Sequence, residues 1–192
     1  MPNWCNNNME LIHDDPEMIK RAFRAIKEDK LFSEFQPCPN ELKDTTSGFG
    51  GEGYAKELND FKVELNKKYF GASDWYDWCV TKWGTKWDIC EGFCESHEDK
   101  YLTASFDTAW SPPTAFYEKM KELGFVVRAF YYEPGMAFCG SWTDGDEEFY
   151  EIKGDSNWVE ENIPDHIDYE FGISEGMKAW EDGSDYTNQE QA

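Results

Sequence analysis

Two helix-start signals of the same kind divide the sequence, and each comes directly after a segment that is typical of a β-strand. Asp15 precedes Pro16, and Ser111 precedes Pro112. In both places a side chain that caps helices stands before a proline, which is favoured in the first helical turn. The sequence therefore predicts that a strand followed by a helix occurs twice, about 95 residues apart.

The predicted elements follow one another in a set order. Alternating apolar residues indicate the strands, and apolar residues at helical spacing indicate the helices. Strands are predicted over residues 4–12, 86–95, 101–110, 125–132, 136–142 and 147–152, and helices over residues 16–29, 54–69, 74–83 (capped by Ser73) and 111–124. This order predicts an α+β fold, a ferredoxin-like split βαβ sandwich in which an antiparallel sheet has helices on one face.

Two segments stand apart from this core. Residues 32–72 are expected to form a loop-rich insertion with one helix, because prolines and a glycine-rich run interrupt regular structure there. The chain therefore divides into a ferredoxin-like domain over residues 1–142 and an acidic C-terminal extension over residues 143–192. The last residues, from Ser184, are expected to be disordered.

The charge is high and unevenly distributed. The chain has 40 Asp and Glu against 18 Lys and Arg, a net charge of −22, and from Ser141 onward the net charge is −14. An aromatic content of 17% nevertheless indicates a packed core. Since such a surface repels phosphates, direct binding of nucleic acid is excluded and a partner with a basic surface is favoured. The alternative is that the charge serves only to keep the protein soluble.

No segment of the sequence resembles a membrane span or a signal peptide. No window approaches the roughly 18 consecutive apolar residues that a span requires, and the first residues lack basic and apolar regions. The expected location is therefore the cytoplasm, with no membrane partner. In that compartment the six cysteines are expected to be free thiols.

The sequence predicts no cofactor, no metal and no catalytic residue. Cys90 and Cys94, near Cys79 and His97, suggest zinc, but on an extended strand they lie about 13 Å apart, too far for one ion. No nucleophile stands in a recognisable arrangement beside one of the three histidines. The acidic turn that begins at Asp144 lacks the spacing of a calcium loop.

Four motifs, in order along the chain, carry a resemblance to a known family. They are Met1 to Cys5, Trp75 to Cys79 with Trp83 to Trp87, Phe106 to Pro113, and Tyr131 to Met136. Together they resemble the YubB-type ferredoxin-like domain family of bacteriophages and plasmids over residues 1–142. The resemblance implies a mobile-element origin and a ferredoxin-like fold, and it implies no activity.

The acidic extension suggests the first functional hypothesis. A phage or plasmid accessory protein could bind a host protein through an acidic, DNA-mimicking surface and so inhibit a defence factor, because DNA carries one charge per about 1.7 Å of its axis. The residues expected to bind this partner are Asp144, Asp146, Glu147, Glu148, Glu160, Glu161, Asp165 and Asp168.

The tryptophans suggest the alternative, a small-ligand or nucleotide-binding pocket that is non-enzymatic or enzymatic. Rings would stack on a planar base while Lys86 meets an anion. The candidate residues are Trp4, Trp75, Trp78, Trp83, Lys86, Trp87, Asp88, Asp107, Trp110 and Glu133. A second interpretation of the same residues is that the carboxylates only hold an aromatic core together. A virion or structural component is the third interpretation of the whole chain.

Overall fold

One antiparallel sheet of seven strands organises the part of the chain that the computed structural model describes, residues 3–94 and 97–189. The strands are β1 (Trp4–Ile12), β2 (Cys90–Phe93), β3 (His97–Glu98), β4 (Tyr101–Ala109), β5 (Val126–Glu133), β6 (Phe138–Thr143) and β7 (Asp146–Glu151). Their order is β2-β4-β1-β5-β6-β7, and β3 also pairs with β4. Predictions that concern Met1, Pro2, Glu95, Ser96 and residues 190–192 lie outside the described residues.

Eight α-helices surround the sheet within these residues. They are α1 (Pro16–Lys27), α2 (Leu31–Phe35), α3 (Gly53–Phe70), α4 (Trp75–Trp83), α5 (Thr114–Glu122), α6 (Ser156–Asn162), α7 (Asp165–Phe171) and α8 (Ile173–Gln189), with a 3-10 turn at Asn40–Asp44. The mixed α+β fold that the sequence predicts is therefore confirmed. The insertion over residues 32–72 holds more regular structure than the sequence predicts, because α2 and the 3-10 turn accompany α3.

Side-chain caps explain where two of the predicted helices begin. The cap predicted at Ser111 is wrong, because α5 begins at Thr114 without a side-chain cap and the Ser111 hydroxyl donates to the Gly84 carbonyl. Asp15 accepts a hydrogen bond from the backbone N–H of Glu17, and Pro16 follows it in the first turn of α1, as the sequence predicts. In α4 the cap is Asp74, which accepts from the N–H of Asp77, so the prediction that Ser73 caps this helix is wrong. The Ser73 hydroxyl instead donates to the Asp77 carboxylate, 2.8 Å away.

The predicted strand over residues 86–95 is wrong at its start, because strand pairing begins at Cys90. The Asp88 carboxylate accepts hydrogen bonds from the backbone N–H groups of Phe32 and Ser33, at 2.8 and 2.9 Å. These N–H groups lie at the start of α2, where a helix leaves donors without partners. Residue 88 is therefore held beside α2 and does not continue the strand.

The larger core lies on one face of the sheet, which we call the inner face. Alternate residues of β1 point into it, and Met9 and Leu11 are buried there. The apolar sides of α1, α2, α4 and α5 pack against this face through buried residues such as Ile26, Phe32 and Phe116. This is the arrangement that the 3.6-residue period of the helices and the two-residue period of the strands require.

A second, smaller core lies on the opposite, outer face and is formed by the C-terminal helices. Ile167 of α7 and Val159 of α6 are fully buried, and Phe130 and Tyr132 of β5 pack beside them. These two β5 residues alternate with Val127, which faces the inner core. The prediction that helices cover only one face of the sheet is therefore wrong, because α6, α7 and α8 cover part of the outer face.

No helix in residues 3–94 or 97–189 has both the length and the apolar character that crossing a membrane would require.

Candidate functional site

The eight acidic residues that the sequence singles out all lie on β7, on its turn from β6, or on α6 and α7. Seven of the eight side chains are exposed, and Asp168 is half-buried. Since β7 is an edge strand of the sheet and the two helices lie on its outer face, this region together with α8 forms one structural unit. We call residues 144–183 the C-terminal unit.

Three of these carboxylates have bonds inside the protein. Glu147 accepts a hydrogen bond from the Tyr131 hydroxyl at 2.9 Å. Asp168 accepts from the N–H and the hydroxyl of Ser174, at 2.7 and 2.6 Å, and so ties α7 to α8. Glu148 accepts a hydrogen bond from the Ser141 hydroxyl at 3.3 Å and lies 3.8 Å from the Nε2 atom of His166, which brings β7 close to α7. These residues contribute to structure, whereas the other predicted carboxylates face outward from the same unit.

An apolar groove lies in the same C-terminal unit, between α8 and the outer face of β5. It is lined by Tyr132, Phe171, Ile173, Met177 and Trp180, with Asp155 and Glu181 at its rim, and it encloses about 620 Å³. The Trp180 side chain is 74% exposed. None of the residues that line the groove is basic. We call it the α8 groove.

Local hydrogen bonds fix the walls of the α8 groove. The Glu181 carboxylate accepts from the N–H and the hydroxyl of Ser156, at 3.0 and 2.7 Å, and so joins α8 to the start of α6. Asp155 caps α6 by accepting from the N–H of Trp158. Both rim carboxylates are therefore held in place by hydrogen bonds within the C-terminal unit.

The structure gathers five of the ten predicted pocket residues around one cleft of about 500 Å³ on the other side of the molecule. Trp75 and Trp83 come from α4, and Lys86, Trp87 and Asp88 come from the segment that follows it. The sequence did not single out the remaining walls, which include Cys38, Lys43 and Cys79. We call this site the tryptophan cleft.

Lys86 is held between two indole rings at the tryptophan cleft. Its Nζ atom lies 3.7 Å from the ring centre of Trp87 and 4.1 Å from that of Trp110. The Trp4 ring packs against Trp87, with 6.4 Å between the two ring centroids. An ammonium group over the face of an indole is attracted by the negative face of the ring. Trp4 and Trp110 therefore support the cleft by positioning Lys86 and Trp87.

The other three predicted pocket residues have structural roles elsewhere. Trp78 is 6% exposed and packs edge-on against Trp83 in the inner core. Asp107 accepts a hydrogen bond from the Asn6 side chain at 2.7 Å. Glu133 is buried and accepts from the N–H groups of Gly135 and Met136, which closes the turn after β5.

The two thiols of the tryptophan cleft are in hydrogen-bonding contact and are protonated at neutral pH. Burial, followed by the neighbouring Cys38, raises the pKa of Cys79 to about 12. Burial also raises the pKa of Cys38. A thiolate is the reactive form of cysteine, so neither group is activated as a nucleophile. Among the described side chains, no three His, Cys, Asp or Glu residues come together in a way that would hold a metal ion.

Comparisons with known proteins do not assign a family or a function to this chain. No family model matches the chain, and no curated protein matches its sequence. Among solved structures, protein api92 from Yersinia pseudotuberculosis, labelled with the family DUF1281, matches with a TM-score of 0.41 and 13% identity. The match covers 80% of this chain and 100% of that one. A similarity of this size carries no conclusion about function.

Sequence reasoning missed residues at both candidate sites for different reasons. Ile173, Met177 and Trp180 recur at helical spacing, so the apolar stripe of α8 was visible in the sequence, but the exposure of Trp180 at its end was not. Lys43 and Cys38 carry no such signal, because they reach the tryptophan cleft from the 3-10 turn and the loop before it, 32 and 37 residues before the start of α4. Only the fold brings them together.

Proposed function

We propose that this chain is a non-enzymatic accessory protein of a phage or plasmid, which binds a host protein with a basic surface through its C-terminal unit. The observation that carries the proposal is that one structural unit holds both exposed carboxylates and the α8 groove, whose rim includes the carboxylates of Asp155 and Glu181. Seven of the eight predicted carboxylates are exposed, and the groove in the same unit holds Trp180, whose side chain is 74% exposed. Exposed aromatic residues in apolar clefts are typical anchors of protein interfaces.

Charge and apolar surface have separate roles in this proposal. Carboxylates around an interface attract a basic partner and accelerate association, and salt weakens that attraction. The apolar walls of the α8 groove supply burial, which depends little on salt. The partner is therefore a protein whose surface combines Lys or Arg with an apolar side chain that enters the groove. Nucleic acid and membranes are not partners of this surface in the proposal, because both present phosphates.

The strand order supports the proposed fold of residues 1–142. Counted without β3, the order β2-β4-β1-β5, with α1 and α5 on the inner face, agrees with the ferredoxin-like split βαβ arrangement that we propose for residues 1–142. That arrangement is also the one implied by the resemblance to the YubB-type family. A mobile-element protein that acts in the host cytoplasm, by presenting DNA-like charge to a defence or nucleic-acid-handling factor, is consistent with both features.

Affinity capture with matched variants tests the proposal. The tagged protein is incubated with host lysate at low and at high salt, and retained proteins are identified by mass spectrometry. A four-site variant, D144N/D146N/E160Q/E161Q, removes exposed charge from the C-terminal unit. The control, E41Q/E52Q/E57Q/E64Q, removes the same charge from exposed positions in the insertion.

The proposal expects a basic protein that the wild type retains at low salt and loses at high salt. The control variant should retain it, whereas the four-site variant should not. If both variants retain the same protein equally, the acidic residues of the C-terminal unit do not bind it and the proposal is wrong.

A further inference from the structure

The geometry points to a second binding site in this molecule, the tryptophan cleft, and to a small aromatic anion as its ligand. This inference does not depend on the C-terminal unit or on its partner. The cleft of about 500 Å³ is within the size range of small-molecule sites, roughly 300 to 1,000 Å³. Its walls come from α4, from the loop that precedes α3 and from the segment after α4.

The charge of the cleft walls contrasts with that of the whole chain. Lys43 and Lys86 line the cleft, and Asp88 is its single acidic wall residue. The Asp88 carboxylate accepts three backbone hydrogen bonds, from Phe32, Ser33 and Ile89, at 2.8, 2.9 and 3.0 Å. Its negative charge is thereby directed at the start of α2. In a chain of net charge −22, this cleft has two ammonium groups and one carboxylate that is already bonded.

Lys86 is available to an anion because aromatic rings, and no carboxylate, hold it in place. None of the ion pairs found among the described residues includes Lys86 or Lys43. The two indoles of Trp87 and Trp110 occupy two sides of the ammonium group. An ammonium group has three N–H donors, so at least one remains for an anionic oxygen.

The aromatic walls select the rest of the ligand. Trp75 is half-buried and Trp87 is 40% exposed, so both rings have surface that a ligand can cover. Indole faces favour flat rings in offset or edge-on contact. The Trp83 N–H is already donated to the Gln36 carbonyl, 2.9 Å away, so that ring contributes apolar surface. A flat ring between these walls, with its carboxylate or phosphate at Lys86, satisfies both the charge and the shape of the cleft.

Calorimetric titration of the full chain with two matched pairs of probes tests this inference. The first pair is naphthoate and its neutral amide, and the second is adenosine monophosphate and adenosine. The pairs distinguish a carboxylate from a phosphate as the anionic group. The variant K86M removes the ammonium group and keeps the stem. The control K82M removes an equal charge from an exposed position at the end of α4, outside the cleft.

We expect at least one of the two anions to bind with one-to-one stoichiometry. Its neutral counterpart should bind about 10- to 100-fold more weakly, as the loss of one hydrogen bond to a charged group implies. K86M should bind the anion more weakly by the same factor, and K82M should keep the wild-type affinity. If K86M unfolds, K43M, which removes the other ammonium group of the cleft, serves as the second variant, with an expected loss of affinity of at least several-fold.

Three results overturn the inference. One is that neither anion binds. The second is equal affinity for an anion and its neutral counterpart. The third is an unchanged affinity in both K86M and K43M, because the ammonium groups would then not contact the ligand.

Discussion

The packing of the C-terminal helices onto the sheet can be tested by removing one buried side chain, Ile167. This residue is fully buried in the outer core, where α7 meets β5 and β6. Ile167→Ala deletes three carbon atoms, and at about 0.8 kcal/mol for each buried methylene the transfer cost is about 2.4 kcal/mol. The cavity that remains adds to this, so the free energy of unfolding should fall by about 3 kcal/mol.

Urea denaturation followed by circular dichroism and tryptophan fluorescence measures this loss. Ile26→Ala is the matched control, because Ile26 is equally buried in the inner core and undergoes the same chemical change. Both variants should remain folded, since domains have free energies of unfolding of about 5–15 kcal/mol. If Ile26→Ala loses the expected amount and Ile167→Ala loses less than about 1 kcal/mol, the outer core does not stabilise the fold and this account of the C-terminal unit is refuted.

Further predictions concern packing at two glycines and the buried thiol of Cys79. Gly140→Ala should lower the free energy of unfolding by about 1–3 kcal/mol, because its Cβ would clash with the backbone carbonyl of Glu148 and with the Tyr131 side chain. Gly183→Ala, in an open part of α8, should raise the free energy of unfolding by up to about 1 kcal/mol. Thermal unfolding compares the two variants. Iodoacetamide at neutral pH should leave Cys79 unmodified in the native protein and modify it in urea, as mass spectrometry can determine. Because the pKa of Cys79 is raised from 9.0 to about 12 by folding, its contribution to stability is complete below pH 9.0 and is lost as the pH rises toward 12.

Local signals allowed most of the regular structure to be predicted. Asp15 with Pro16 starts α1, and alternating residues give the strands β1 and β4, because each of these patterns depends on neighbours in the sequence. The start of β2 could not be predicted this way. It depends on Asp88 bonding to α2, which lies more than 50 residues earlier in the chain.

The candidate sites also combine features that can be predicted from the sequence with features that depend on tertiary packing. The acidic composition of the C-terminal unit is a sequence property, and so is the abundance of tryptophan. Which tryptophans are walls and which are core depends on tertiary packing: Trp87 is exposed, while Trp78 and Trp142 are buried. The role of Glu133 was equally invisible, because its partners are N–H groups of a turn that forms only after β5.

The most direct test of the proposed function is the affinity for the captured basic protein, measured over a series of salt concentrations. Wild type, D144N/D146N/E160Q/E161Q and W180A are compared, with Y54A as the control for an exposed aromatic residue outside the C-terminal unit. The charge variant should bind more weakly and with a shallower salt dependence. W180A should bind more weakly at every salt concentration, with the wild-type salt dependence, because it removes apolar contact only.

Y54A should bind as the wild type does. If the charge variant and W180A both keep the wild-type affinity and salt dependence, the partner does not bind at the C-terminal unit, and the central claim is contradicted.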